Sequence, residues 1–97
     1  MNIYYEEYLS NQRVLHCLQS YIRQYRLTVK KYRDYSPTWK TEATWEKYWK
    51  TMNLLEDMID GLYRVCEEYN IKIKEHWKVG YEEMQELRYY ITTNANI

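Results

Sequence analysis

The sequence predicts an all-α fold: a long antiparallel helical hairpin with a shorter third helix packed across it, a three-helix bundle with coiled-coil-like packing. Three observations predict it. Residues 3 to 34 contain neither Gly nor Pro, and Tyr4, Tyr8, Asn11, Leu15, Leu18, Ile22, Tyr25, Val29 and Tyr32 step by four and three, a heptad seam sustained over four repeats. Between Trp45 and Tyr69 the apolar residues Trp45, Tyr48, Met52, Leu55, Ile59, Leu62, Cys66 and Tyr69 keep the same steps, and a second row of Leu54, Met58, Gly61 and Val65 widens that seam into the broadest apolar face of the chain. Trp77, Tyr81, Met84, Leu87 and Ile91 make a third, shorter stripe.

The first helix is expected over about 3–34. Its one polar seam position, Asn11, either specifies register or touches water near a loose helix end. Ser36-Pro37 ends it, because proline disfavours helical geometry in the residue before it. The second helix, about 40–69, starts between 37 and 44, with Ser36, Thr41 or Thr44 as its cap. So short a link makes the two helices antiparallel neighbours. Gly61 marks either a close helix crossing or a kink, and Asn70 is the expected C-terminal cap. The run Asn70 to Lys74 alternates polar and apolar residues but has no partner strand, so it reads as a linker or a continuation of the helix. Gly80 is read as the next break, with the third helix over about 80–92 and Glu82 and Glu83 in its first turn. The 97 residues form one domain, 1–97.

Composition narrows the function classes. Thirteen Tyr and four Trp stand beside no Phe. A ring with a polar tip suits half-buried surfaces and interfaces, so this bias favours thin packing or partner contact over a deep core. Two cysteines make no disulfide framework, no residues near Met1 form a secretory leader, and no run approaches the roughly 18–20 apolar residues of a membrane span. A soluble cytoplasmic protein, in a host cell if phage-encoded, is the expectation.

The net charge of zero hides a partition. Basic residues concentrate between Asn11 and Lys50, and acidic ones between Thr51 and Asn70. Folding the hairpin gathers Arg23, Arg26, Lys30, Lys31, Arg33, Lys40, Lys47 and Lys50 at its turn, and Glu6, Glu7, Glu56, Asp57, Asp60, Glu67 and Glu68 at its open end. The second helix is thereby charged against its own macrodipole. A second copy packed head to tail, or an acidic partner at the turn, offsets this. Arg23, Arg26, Lys30 and Arg33 step by three, four and three. They form a basic stripe of roughly 15 Å. With Tyr35, Trp39, Lys40, Trp45, Lys47, Trp49 and Lys50 they make the candidate partner-binding face. A merely solvated helix face is the plainer reading.

No catalytic or metal signature accompanies these patterns. His16, Cys17, Cys66 and His76 lack ligand spacing, and Cys66 reads as a small seam residue. Gly61 and Gly80 are the only glycines, so no phosphate-cradling loop exists. A helix-turn-helix built on Gly80 would present Glu82, Glu83 and Glu86 to phosphates. The expectation is therefore a non-enzymatic interaction module without cofactor, of the kind of small inhibitor or adaptor found in phages and mobile elements. The four-repeat seam of the first helix further suggests a homodimer. A nucleic-acid binder using the same basic aromatic face is the alternative, because such faces hold single strands by phosphate contact and stacking.

Overall fold

A computed structural model describes residues 3–34 and 42–94, with side chains over 10–34 and 46–91. Three helices account for them: α1 (Ile3–Asp34), α2 (Glu42–Glu68) and α3 (Glu75–Asn94). The described residues include no strand. α1 packs against both α2 and α3. The body is a slender rod of 59 × 22 × 17 Å, its length set by α1, whose 32 residues rise about 48 Å at 1.5 Å each.

The core is the pair of predicted seams brought face to face. Leu18, Tyr25, Val29 and Tyr32 of α1 meet Met52, Leu55, Ile59 and Cys66 of α2, and Tyr81 of α3 completes the cluster. Leu15 and Ile22 are half-buried, as is Asn11. Tyrosine thus occupies the centre of this core, with Tyr25 and Tyr32 wholly buried.

Several expectations need correction. The second row on α2, read as widening the seam into a face, is largely left uncovered. Leu54 is 60% exposed, Gly61 is exposed, and Met58 and Val65 are only half-buried. α3 lies instead over the opposite flank of the seam, where Trp49, Asn53, Glu56 and Tyr63 stand. Hydrogen-bonding groups on α3 select that flank, and apolarity alone could not reveal the choice.

Tyr69, read as the last seam residue, is 66% exposed. The helix stops at Glu68, and Asn70 takes the left-handed conformation with φ 54°. Two backbone bonds close the end: the Ile71 amide donates to the Cys66 carbonyl at 2.8 Å, and the Asn70 amide donates to the Glu67 carbonyl at 3.4 Å. This is the Schellman arrangement with Asn in place of Gly. It swings Ile71 and Ile73 back onto the core, which overturns the continuation and leaves the linker.

The third helix begins at Glu75, not at Gly80. The Trp77 amide bonds the Lys74 carbonyl at 3.1 Å to start it, and Glu75 places an acid in its first turn. Gly80 sits inside the helix because half-buried Trp77 docks on the core, and that packing outweighs a propensity cost of about 1 kcal/mol. α2 likewise continues unbroken through Gly61, whose absent Cβ would meet no atom within 4 Å. Among the described residues no close helix crossing accounts for that glycine, yet the cost of about 1 kcal/mol against Ala remains.

Three substitutions test this backbone account by urea denaturation. Gly80→Ala, with nothing within 4 Å of the new methyl, is expected to raise stability by about 1 kcal/mol. Asn70→Ala is expected to lower it by about 1 kcal/mol, because a non-glycine residue without a local polar side chain is strained in the left-handed region. Asn70→Gly should restore or exceed the parent value.

Candidate interaction surface

The flank where α2 meets α3 is built from polar and aromatic groups. No Cα of α2 comes within 8 Å of one in α3 among the described residues, and long side chains span the gap. Arg88 of α3 is only 8% exposed. Its Nη1 pairs with Glu56 Oε2, and its Nη2 donates to Asn53 Oδ1. The guanidinium lies 4.7 Å from the centre of the Trp49 ring, a cation–π contact. From α1, the Tyr25 hydroxyl donates to the other Glu56 oxygen, Oε1. One carboxylate thus joins all three helices.

Tyr81 extends the junction. Its ring meets Tyr25 edge-on, with centroids 5.3 Å apart at 61°. Its hydroxyl donates to Asp60 Oδ1 at 3.3 Å and accepts from Gln85 Nε2 at 3.2 Å. Tyr63 packs against Tyr81 at 5.8 Å, but its own buried hydroxyl has no partner among the described residues.

Burial sets the electrostatics. It pushes the Tyr25 phenol well above its usual value, and the Glu56 hydrogen bond and charge add to this, against a smaller opposing effect of Arg88. Burial and the charges of Asp60 and Glu56 do the same to Tyr81. Tyr63 is pushed up to about 12 by burial, then by Glu82 and Asp60. Burial works against the Arg88 charge, yet the Glu56 hydrogen bond and charge outweigh it and hold the guanidinium above its ordinary value. With both Glu56 oxygens engaged, the junction is arranged to hold helices together and presents no free base.

Beside it, α2, the 69–74 turn and α3 enclose a cleft of about 400 Å³. Tyr63, Tyr81 and Ile71 form its walls, and Asp60, Glu67 and Glu82 stand at its edge with Lys78. Cys66 at its base is buried, and burial raises its thiol pKa. Cys17 is exposed, and neither cysteine is in a disulfide. No group of three or more His, Cys, Asp and Glu among the described residues is placed to hold a metal.

The predicted binding face is only partly within view. Tyr35, Trp39 and Lys40 lie outside the described residues, as does the side chain of Trp45. Arg23, Arg26, Lys30 and Arg33 do share one side of α1; Arg23, Arg26 and Arg33 are exposed and Lys30 is half-buried. Arg33 pairs with neighbouring Asp34 at 2.9 Å, and Lys50 with Glu46 at 3.3 Å. Lys47 is exposed. Trp49 is half-buried, with the Arg88 guanidinium over its ring.

Sequence reasoning missed Arg88 and Glu56. A usable signal existed: Tyr81, Met84, Arg88 and Ile91 step by three, four and three, which puts Arg88 on the buried stripe. Glu56 stands four residues after Met52 and three before Ile59. A cation and an anion on facing buried stripes point to each other.

No family model matches the chain, and no curated protein or solved structure matches it.

The junction makes two predictions. Glu56→Ala strands the Arg88 guanidinium and is expected to cost about 3 kcal/mol in chemical denaturation, near the low end for breaking a buried ion pair. Replacing Glu56 and Arg88 together by Met should cost clearly less than the sum of the single changes. The tyrosines give a pH dependence. A phenol whose pKa is raised from 10.0 to about 12 on folding contributes stability that is complete below pH 10 and lost as pH rises through 12. Stability should therefore fall above pH 10, with Tyr25 and Tyr81 adding to the loss. In Tyr63→Phe the fall should be shallower, and at neutral pH that variant should gain about 1 kcal/mol by removing an unpartnered buried hydroxyl. Denaturation curves at a series of alkaline pH values check both.

Proposed function

We propose that this chain is a non-enzymatic protein-interaction module. It grips a partner with an acidic surface through the basic side of α1 near the turn of the hairpin. The observation that carries this reading is the basic stripe on α1. Arg23, Arg26 and Lys30 lie on one side of α1, and none of them forms an ion pair with a described residue. Such a field steers a complementary partner and favours its association. Lys31 and Arg33 in the last turn of α1 also suit its helix dipole, so the positive end costs α1 nothing.

α2 supports the same reading from the other direction. Its last turn holds no basic residue but contains Glu67 and Glu68, an arrangement unfavourable by roughly 0.3–1 kcal/mol per exposed charge. A charge pattern maintained against the helix dipole is better explained by recognition than by stability. The engagement of Trp49 with Arg88 removes one stacking platform and so favours a protein partner over a single-stranded nucleic acid. No described helix is long and apolar enough to cross a membrane, and the proposed setting is the cytoplasm, with an inhibitor or adaptor role.

Affinity capture from the native cell followed by mass spectrometry tests the proposal. The unmodified chain is expected to retain a defined protein. The charge reversal Arg26→Glu, Lys30→Glu, Arg33→Glu should abolish that capture while leaving helical circular dichroism unchanged, because Arg26 and Arg33 are exposed. Undiminished capture would refute the assigned face. Retention of nucleic acid instead, with affinity falling steeply as salt rises, would replace the protein partner with a polynucleotide.

A further inference from the structure

α2 and α3 stand apart, and the cleft of about 400 Å³ occupies the gap between them, with Ile71 and Ile73 of the turn at one end. Its volume is that of a small-molecule site. No residue of α1 lines it, so it is separate from the basic stripe, and neither reading depends on the other.

The acids of the cleft are grouped in two places. α2 and α3 run antiparallel across the turn, and Tyr81 reaches back to Asp60. Asp60 therefore stands with Glu82 at the far end, and Glu67 with Glu75 at the turn end; all four line the cleft. Burial, then the charges of Glu82 and Asp60, raise the Tyr63 phenol, as expected of two acids flanking one ring. On each helix the two acids are seven residues apart, about 10 Å at 1.5 Å per residue. Between the pairs the lining is Tyr63, Tyr81 and Cys66.

These charges are not cancelled locally. None of the four acids forms a salt bridge with a described residue. This end of the rod also carries Arg13, Arg64, Lys72 and Lys74, but among the described residues Lys78 is the one cation in the lining. The Lys74 ammonium lies instead over the Trp77 ring, 5.5 Å from its centre. The end of the rod is balanced, and the cleft within it is not.

We propose that this cleft binds a linear aliphatic polyamine, with one ammonium at Asp60 and Glu82, another at Glu67 and Glu75, and the methylene chain along the tyrosine rings. Acids alone would suit any cation, and the apolar floor between them selects the class. A hydrated metal ion gains nothing from such a floor, and no three potential ligands among the described residues are placed to hold one. An alkylammonium buries its methylenes there and sets its charge against aromatic rings. A monoamine satisfies one acid pair and leaves the other bare. A separation of about 10 Å between pairs calls for a chain the length of spermidine.

Isothermal titration calorimetry of the full chain with spermidine, at physiological ionic strength so that loose surface attraction is screened, tests the proposal. Saturable one-to-one binding is expected, several-fold tighter than that of n-butylamine or magnesium ion. Glu67→Gln and Glu82→Gln, one at each end, should each weaken it several-fold. Lys78→Met, which removes the competing cation, should tighten it. Asp57→Asn and Glu68→Gln remove the same charge from exposed positions outside the lining and should leave the affinity unchanged. All five residues are exposed, so helical circular dichroism should not change. Absence of binding at millimolar spermidine overturns the proposal. So does an affinity no better than that of n-butylamine or magnesium ion, or an equal loss in the variants inside and outside the cleft, since each reports attraction to charge alone.

Discussion

The Glu56 carboxylate is the constraint on which the arrangement of the three helices depends. It accepts the Tyr25 hydroxyl from α1 on one oxygen and the Arg88 guanidinium from α3 on the other. A charge this sheltered must be paired, because leaving either partner alone in the interior costs several kcal/mol. Only one placement of α3 satisfies it. α3 must lie on the Glu56 side of the α2 seam, at the height where Arg88 also reaches Asn53 and Trp49. Apolar burial, which has no direction, would have allowed α3 to cover Leu54 and Val65 instead.

The same junction explains the unusual aromatic content. The rod is 17 Å through its thinnest dimension, so few positions are far from water. Tyrosine fills such an interior with its ring and reaches a polar partner with its hydroxyl, as Tyr25 and Tyr81 do through Glu56 and Asp60. Tyr63 differs, its buried hydroxyl having no partner among the described residues where its ring lines the cleft.

Much of the hairpin was legible in the sequence. The steps through Leu18, Tyr25 and Tyr32 and through Met52, Leu55, Ile59 and Cys66 are the packed faces, because helical periodicity and apolar burial are local signals. The flank chosen by α3 was not legible, since it depends on an ion pair between residues 32 apart in the chain. The end of α2 was ambiguous because Ile73 keeps the heptad step. The left-handed Asn70 ends the helix there, and Ile71 and Ile73 reach the core by a turn. Gly80 misled because helix propensity is weak beside the docking of Trp77. Of the candidate binding face, the stripe on α1 was readable from spacing alone, whereas the role of Trp49 required knowing where Arg88 lies. The apolar row through Gly61 was legible as apolar, but not that the fold of one chain leaves Leu54 and Gly61 exposed.

The central claim is that a side-chain junction, more than apolar contact, docks α3 on the hairpin. Native-state hydrogen exchange in the Arg88→Met variant tests it most directly, since Met keeps the bulk of the side chain and removes the ion pair. The account predicts that amides of α3 lose most of their protection while those around Leu18, Tyr25, Met52 and Ile59 keep nearly all of theirs. Equal retention of protection in all three helices would show that apolar packing alone holds α3, and would contradict the claim.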